Sequence, residues 1–186
     1  FLEEAYEAVD AIDLNDPELM CEELGDVLMQ VVFHAQMENE QGHFNFAQVC
    51  DGVCRKLIDR HPHIFLGAQS IKDWDTLKNI EKGRVTLQDD LESVPLALPA
   101  LMRAAKLQKR AARGGVTVQA GADTVAAAAK AAQLCDDAEK EAAVGQMLFA
   151  AVALARSLGV DPEQALQRRN AQFTAQPTSC QEAEQP

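Results

Sequence analysis

Two sets of carboxylates open this chain: Glu3, Glu4 and Glu7, then Glu22, Glu23 and Asp26. Glu4 and Glu7 are three residues apart, as are Glu23 and Asp26, so in helices each pair occupies one face. If two such helices pack antiparallel, four carboxylates converge, and like charges at close range raise each other's pKa and weaken the fold. A divalent cation removes that penalty. Hard, all-oxygen ligands favour Mg²⁺ or Mn²⁺ over Zn²⁺, which would want Cys or His. A di-iron carboxylate bundle is the nearest rival, but it needs Glu-x-x-His pairs and none falls in this cluster. The competing reading is a solvated acidic face on two surface helices, common in Glu-rich sequences, and spacing alone leaves both open.

The elements that would position these groups are legible. Leu2, Ala5, Tyr6, Val9 and Ile12 recur at helical spacing and define a first helix. Asn15 and Asp16 punctuate it, and Asp16 before Pro17 reads as an N-cap with proline at the first helical position. The second helix runs through Leu24, Val27, Leu28, Val31, Val32 and Ala35 to a stop at Gly42; apolar almost all round after Asp26, it is expected to be the central, buried helix, with His34 a satisfied core histidine. Asn45 with Gln48 makes a capping box, and the third helix ends at His61 because Pro62 cannot continue it. Cys50 and Cys54 read as core positions of that helix, and His61 and His63 as helix termination and local packing.

Few aromatic residues and an excess of Ala, Leu, Val, Glu and Gln favour an all-α fold. A formal charge of −12 would repel a nucleic-acid polymer and an anionic membrane alike, while leaving room for a small anion bridged to carboxylates by divalent cations. The five cysteines, Cys21, Cys50, Cys54, Cys135 and Cys180, form neither a zinc pattern nor a disulfide framework, so buried reduced thiols are expected. With no membrane-length apolar run and no signal-peptide pattern, the expected location is the cytoplasm. The chain begins at Phe1, inside a helix, so an upstream segment is expected to precede it.

Beyond His61 a short helical stretch around Trp74 to Lys82 gives way to a polar, acidic segment reaching Pro95 and Pro99. Helical sequence resumes at Leu101, breaks at Gly114 and Gly115, and continues from about Thr124. The run from Glu141 to Arg156 then echoes the run from Glu22 to Gln36, with Gly145 opposite Gly25, as an internal repeat. The expected organisation is a first helical domain over 1–85 with the acidic motif, a linker over 86–100, a second over 101–178 and a disordered tail over 179–186. The all-round apolar stretch from Val27 to Ala35 is too apolar for a monomer surface and points to a homodimer.

Glu3-Glu4-x-x-Glu7 followed by Glu23-x-x-Asp26, with Glu-Leu-Gly-Asp leading into a long apolar helix, resembles the acidic signature of the MazG family of nucleoside triphosphate pyrophosphohydrolases. The resemblance extends through Arg60-His-Pro-His-Ile-Phe65, Trp74 and the segment from Pro99 to Arg110, in a layout of two MazG-like helical-bundle repeats. It implies Glu4, Glu7, Glu23 and Asp26 as ligands of Mg²⁺, with Mn²⁺ a substitute, and Glu3 or Glu22 as an outer group or base. It further implies that Lys56 and Arg60 face the substrate phosphates and that Trp74 and Lys78 lie near the nucleotide; without it, surface charge balancing the acidic helices would explain Lys56 and Arg60. The implied reaction is attack of cation-activated water on the α-phosphorus of a nucleoside triphosphate, releasing the monophosphate and pyrophosphate. The absence of a P-loop excludes a Walker-type ATPase.

The second repeat departs from this pattern. Opposite Glu22, Glu23 and Asp26 stand Ala142, Ala143 and Gln146; an alanine run from Ala126 to Ala132 replaces the preceding glutamates, and Gln172 stands opposite Lys56. That half is expected to be a structural or dimerisation partner. The rival to an enzyme is a catalytically weak or silent homologue that binds metal as a regulatory or interaction protein.

Overall fold

The computed structural model describes residues 1–65, 83 and 86–175, and every regular element among them is a helix. The chain divides into two compact units, Phe1–Lys78 and Asn79–Pro186.

In the first unit, α1 (Leu2–Leu14) and α2 (Pro17–Glu40) are joined by only Asn15 and Asp16. Asn15 adopts the left-handed conformation, φ 54°, which asparagine tolerates better than most side chains. Asp16 then caps α2, its carboxylate accepting from the backbone N–H groups of Glu18 and Leu19, and Pro17 supplies the preset φ of the first turn. So short a connection folds α2 back along α1 as an antiparallel hairpin. The start of α1 accordingly meets the middle of α2, where the Phe1 ring lies 6.3 Å from that of His34. Ala8, Ala11 and Ala35 are buried, and their small side chains allow close approach of the helices.

Gly42, at φ 76°, ends α2 with the left-handed turn that favours glycine, and the His43 N–H closes on the Glu38 carbonyl. Asn45 and Gln48 then form the expected capping box of α3 (Phe46–Arg60). His61 caps the C-terminus of α3, and Pro62 starts the single turn α4 (Pro62–Phe65).

Three expectations need correcting here. The second helix is not buried: Leu28, Met29 and Phe33 are each more than half exposed, because α1 and α3 cover only part of its circumference. His34 is exposed rather than a core histidine. Cys21, Cys50 and Cys54 are likewise exposed and Cys135 is half-buried, so the described thiols are not core residues; Cys180, with the expected tail, lies outside the described residues.

The first described helix of the second unit lies within the stretch expected as a linker. Thr86 and Asp89 box the N-terminus of α5 (Leu87–Glu92), which packs on α6 (Ala100–Arg113). Asp90 and Val94 are buried. The Asp90 carboxylate lies 3.1 Å from Arg110 and accepts from Arg113 at 2.8 Å, while Arg110 also donates to the Asp90 carbonyl and to Ser93 Oγ. This ionic clamp ties α5 to α6. Gly114 allows the close approach of Leu87, whose Cδ1 would lie 2.6 Å from an added Cβ, and Gly115, at φ 84°, makes the left-handed turn out of α6.

The remaining helices are α7 (Ala122–Leu134), α8 (Lys140–Ser157) and α9 (Pro162–Thr174), with α6 packed against α8 and α9. Val152, Ala150 and Ala153 of α8 are buried. Gln108 is wholly buried and satisfied at both ends: its amide donates to the Phe149 carbonyl at 2.8 Å and its oxygen accepts from Arg156 at 3.3 Å. A left-handed Gly159, φ 72°, and an Asp161 cap before Pro162 separate α8 from α9, much as Gly42 and Asn45 separate α2 from α3. No single helix among the described residues is long and apolar enough to cross a membrane.

Removing Asp90 would leave two guanidinium groups facing an empty, largely dehydrated site. Asp90→Ala is expected to destabilise the chain by about 3 kcal/mol, read as a lowered urea midpoint; a midpoint within error of the parent would show that the clamp contributes nothing.

Candidate metal centre

The hairpin determines which carboxylates meet. Glu4 and Glu7 lie one turn apart on α1, Glu23 and Asp26 one turn apart on α2, and the antiparallel register sets the two pairs side by side. Glu4, Glu7 and Glu23 each bring an oxygen within 4.8 Å of the others, the one such group of potential metal ligands among the described residues. Asp26, half-buried, stands outside that closest group, yet its charge acts on Glu23. Glu4 and Glu23 are half-buried and Glu7 is exposed, so the cluster opens to solvent on one side.

The electrostatic cost of this placement is visible at Glu23. Loss of solvation raises its carboxyl pKa above the ordinary value, and the charges of Glu7, Asp26, Glu22 and Glu4 raise it further. Glu22 is exposed but close enough to contribute; Glu3, exposed on α1, is not among the groups acting on Glu23. A neutral donor also touches the cluster. The Gln30 side-chain amide, one turn beyond Asp26, donates to Glu4 Oε1 at 3.5 Å. Sequence reading had passed over Gln30, although its position seven residues after Glu23 and four after Asp26 sets it on the same helical face.

This donor set fits a hard divalent cation. Three carboxylate oxygens converge without nitrogen or sulfur, the chemistry that suits Mg²⁺ or Mn²⁺, and a 2+ charge at that point would reverse the repulsion that raises Glu23.

The basic candidates are on α3. Arg55, Lys56 and Arg60 are the only Lys or Arg within residues 1–65, and Lys56 and Arg60 stand one turn apart, Lys56 exposed and Arg60 half-buried. His61 Nδ1 lies 3.0 Å from the Leu57 carbonyl and its ring 5.8 Å from that of His63, consistent with a helix-terminating role. Trp74 and Lys78 lie outside the described residues.

Comparison with known proteins converges on the same unit. The MazG nucleotide pyrophosphohydrolase domain matches residues 1–65, which span α1 to α4 and contain the whole acidic cluster. The chain is 40% identical over 188 residues to the nucleoside triphosphate pyrophosphohydrolase of Escherichia coli strain K12, covering 92% of this chain and 71% of that protein. It is 39% identical over 180 residues to the nucleoside triphosphate pyrophosphohydrolase/pyrophosphatase MazG of Thermotoga maritima, covering 92% and 69%. It is also 43% identical over 114 residues to the uncharacterized protein YabN of Bacillus subtilis, covering 58% of this chain and 23% of that one.

Because the Glu23 carboxyl binds its proton more tightly in the folded chain than in the unfolded one, its contribution favours folding at acid pH and is lost as pH rises through the raised value. In cation-free buffer at pH 7, Glu23→Gln is therefore expected to raise the melting temperature, the gain fading as pH falls towards the ordinary value near 4.5. A lower melting temperature for that variant at pH 7 without cation would contradict the electrostatic account.

Proposed function

The chain belongs to the MazG family of nucleoside triphosphate pyrophosphohydrolases, and we propose from that premise that its first unit hydrolyses nucleoside triphosphates to monophosphates and pyrophosphate. The observation that carries this reading is the convergence of Glu4, Glu7 and Glu23 on one point of the α1–α2 hairpin, within the segment that the family domain matches. Asp26 completes the ligand set, one turn from Glu23. Mg²⁺ is the proposed physiological cation, with Mn²⁺ able to replace it. A cation held by these carboxylates would supply an activated water and shield the triphosphate charge.

The chain's own residues supply the rest. Glu22, exposed and near enough for its charge to act on Glu23, would take the proton that water gives up as its oxygen bonds to the α-phosphorus; Glu3 is the second candidate for that role. The bond from the α-phosphorus to the bridging oxygen breaks, and pyrophosphate leaves with the electron pair. Lys56 and Arg60 face the outer phosphates in this reading, which is supported by the scarcity of cations elsewhere in residues 1–65. Trp74 and Lys78 are proposed near the nucleotide on the resemblance alone.

Homodimerisation and a cytoplasmic location belong to the same proposal. Leu28, Met29, Val32 and Phe33 line one open face of α2 with Gly25 and Gln36, an apolar strip whose burial against a second copy would remove it from water. The second unit is proposed to be a degenerate repeat: α8 carries Ala142, Ala143 and Gln146 in register with Glu22, Glu23 and Asp26, so that helix offers no carboxylate at these three positions. A silent, merely regulatory homologue is the less favoured reading, since the first unit keeps every acidic position.

With Mg²⁺ and several nucleoside triphosphates, pyrophosphate release is the deciding assay. Asp26→Ala or Glu23→Ala is expected to reduce turnover by more than about 100-fold, beyond the loss typical of an outer-shell partner. Gln146→Ala leaves it near the parent value. Lys56→Ala raises KM by about tenfold with a smaller change in kcat, because a phosphate-facing cation acts on ground and transition states together. Full activity of Asp26→Ala refutes the assignment.

Sedimentation analysis at micromolar concentration is expected to give twice the chain mass for the parent and the single chain mass for Phe33→Glu. A strictly monomeric parent would refute the dimer.

A further inference from the structure

The hydrogen bond from Gln30 to Glu4 links the cation site to a residue that carries no charge. Along the antiparallel hairpin, Glu7 faces the turn that bears Glu23 and Asp26, Glu4 faces Gln30, and Phe1 faces His34. Gln30 thus closes one end of the acidic cluster, between the carboxylates and the aromatic contact. Glu4 and Gln30 are both half-buried, so their contact is partly shielded from competing water.

We propose that Gln30 is a positioning residue for Glu4, holding one carboxylate oxygen so that the other is presented to the cation; this rests on the reading of the cluster as a cation site. The chemistry favours an amide at this position. A glutamate has three side-chain torsions, and without a cation Glu4 is pushed outwards by Glu7 and Glu23, so it must be restrained to remain a ligand. A lysine there would restrain it by pairing with it, adding a positive charge that opposes the cation. The glutamine amide donates to the carboxylate while leaving the cluster's full negative charge to the metal. The second unit supplies an independent observation. In the register that sets Gly145 opposite Gly25, the residue opposite Gln30 is Ala150, buried in the core of that unit. Where the carboxylates are absent, the amide is absent too.

The test is Mn²⁺ binding to the full chain without nucleotide, followed by titration calorimetry and by the Mn²⁺ electron paramagnetic resonance signal. Gln30→Met keeps length and helix propensity while removing the donor, and Gln30→Ala provides a second variant should the first perturb folding, which circular dichroism would reveal. Either variant is expected to weaken Mn²⁺ binding by about 10- to 100-fold. Because the effect acts through Glu4, adding Gln30→Met to Glu4→Gln should weaken binding no further. Parent-like binding by both single variants, or a full additional loss on top of Glu4→Gln, overturns the role of Gln30 while leaving the cation site standing. If the parent chain binds no Mn²⁺, the cation-site reading itself fails, and the positioning role with it.

Discussion

Mutual repulsion among carboxylates is the constraint on which the rest of the first unit depends. A connection of only two residues, Asn15 and Asp16, folds α1 against α2 in a register that leaves Glu4, Glu7 and Glu23 within 4.8 Å of one another. A fold selected for stability alone would separate these charges, since each disfavours ionisation of the others. The Asp16 cap, the left-handed Asn15 and the small buried residues of the hairpin offset this electrostatic cost.

The same hairpin explains the unusual surface of α2. One side packs on α1, the polar side carries Glu23, Asp26 and Gln30, and a third presents Leu28, Met29, Val32 and Phe33 to solvent. The apolar residues of α2 therefore exceed what its contact with α1 and α3 covers. The second unit instead pairs its buried charge internally, with Asp90 between Arg110 and Arg113, and bonds both ends of the buried Gln108 amide.

Much of this was legible in the residues. Helix ends followed from local chemistry, as at Asp16-Pro17, at Gly42, and at Asn45 with Gln48, because caps and left-handed turns are decided within a few residues. The acidic convergence was legible because spacing in two helices joined by a short turn leaves little freedom. Burial was not: the apolar periodicity of α2 and α3 shows that a face avoids water but not whether this chain covers it, and so Cys50, Cys54 and His34 are exposed where a core was expected. The pairing of Asp90 was not legible for a related reason, since its acidic character reads as solvation until its partners, some twenty residues on in α6, are known. Gln30 was overlooked because a single neutral amide carries no motif; its meaning comes from Glu4 across the hairpin.

The central claim is that the α1–α2 hairpin is a cation site, and the direct measurement is anomalous scattering from crystals of the full chain grown with Mn²⁺. The account predicts a Mn²⁺ peak bonded to oxygens of Glu4, Glu7 and Glu23, with Asp26 drawn in. Mn²⁺ peaks confined to other parts of the chain, with the hairpin carboxylates bound to solvent alone, would contradict it.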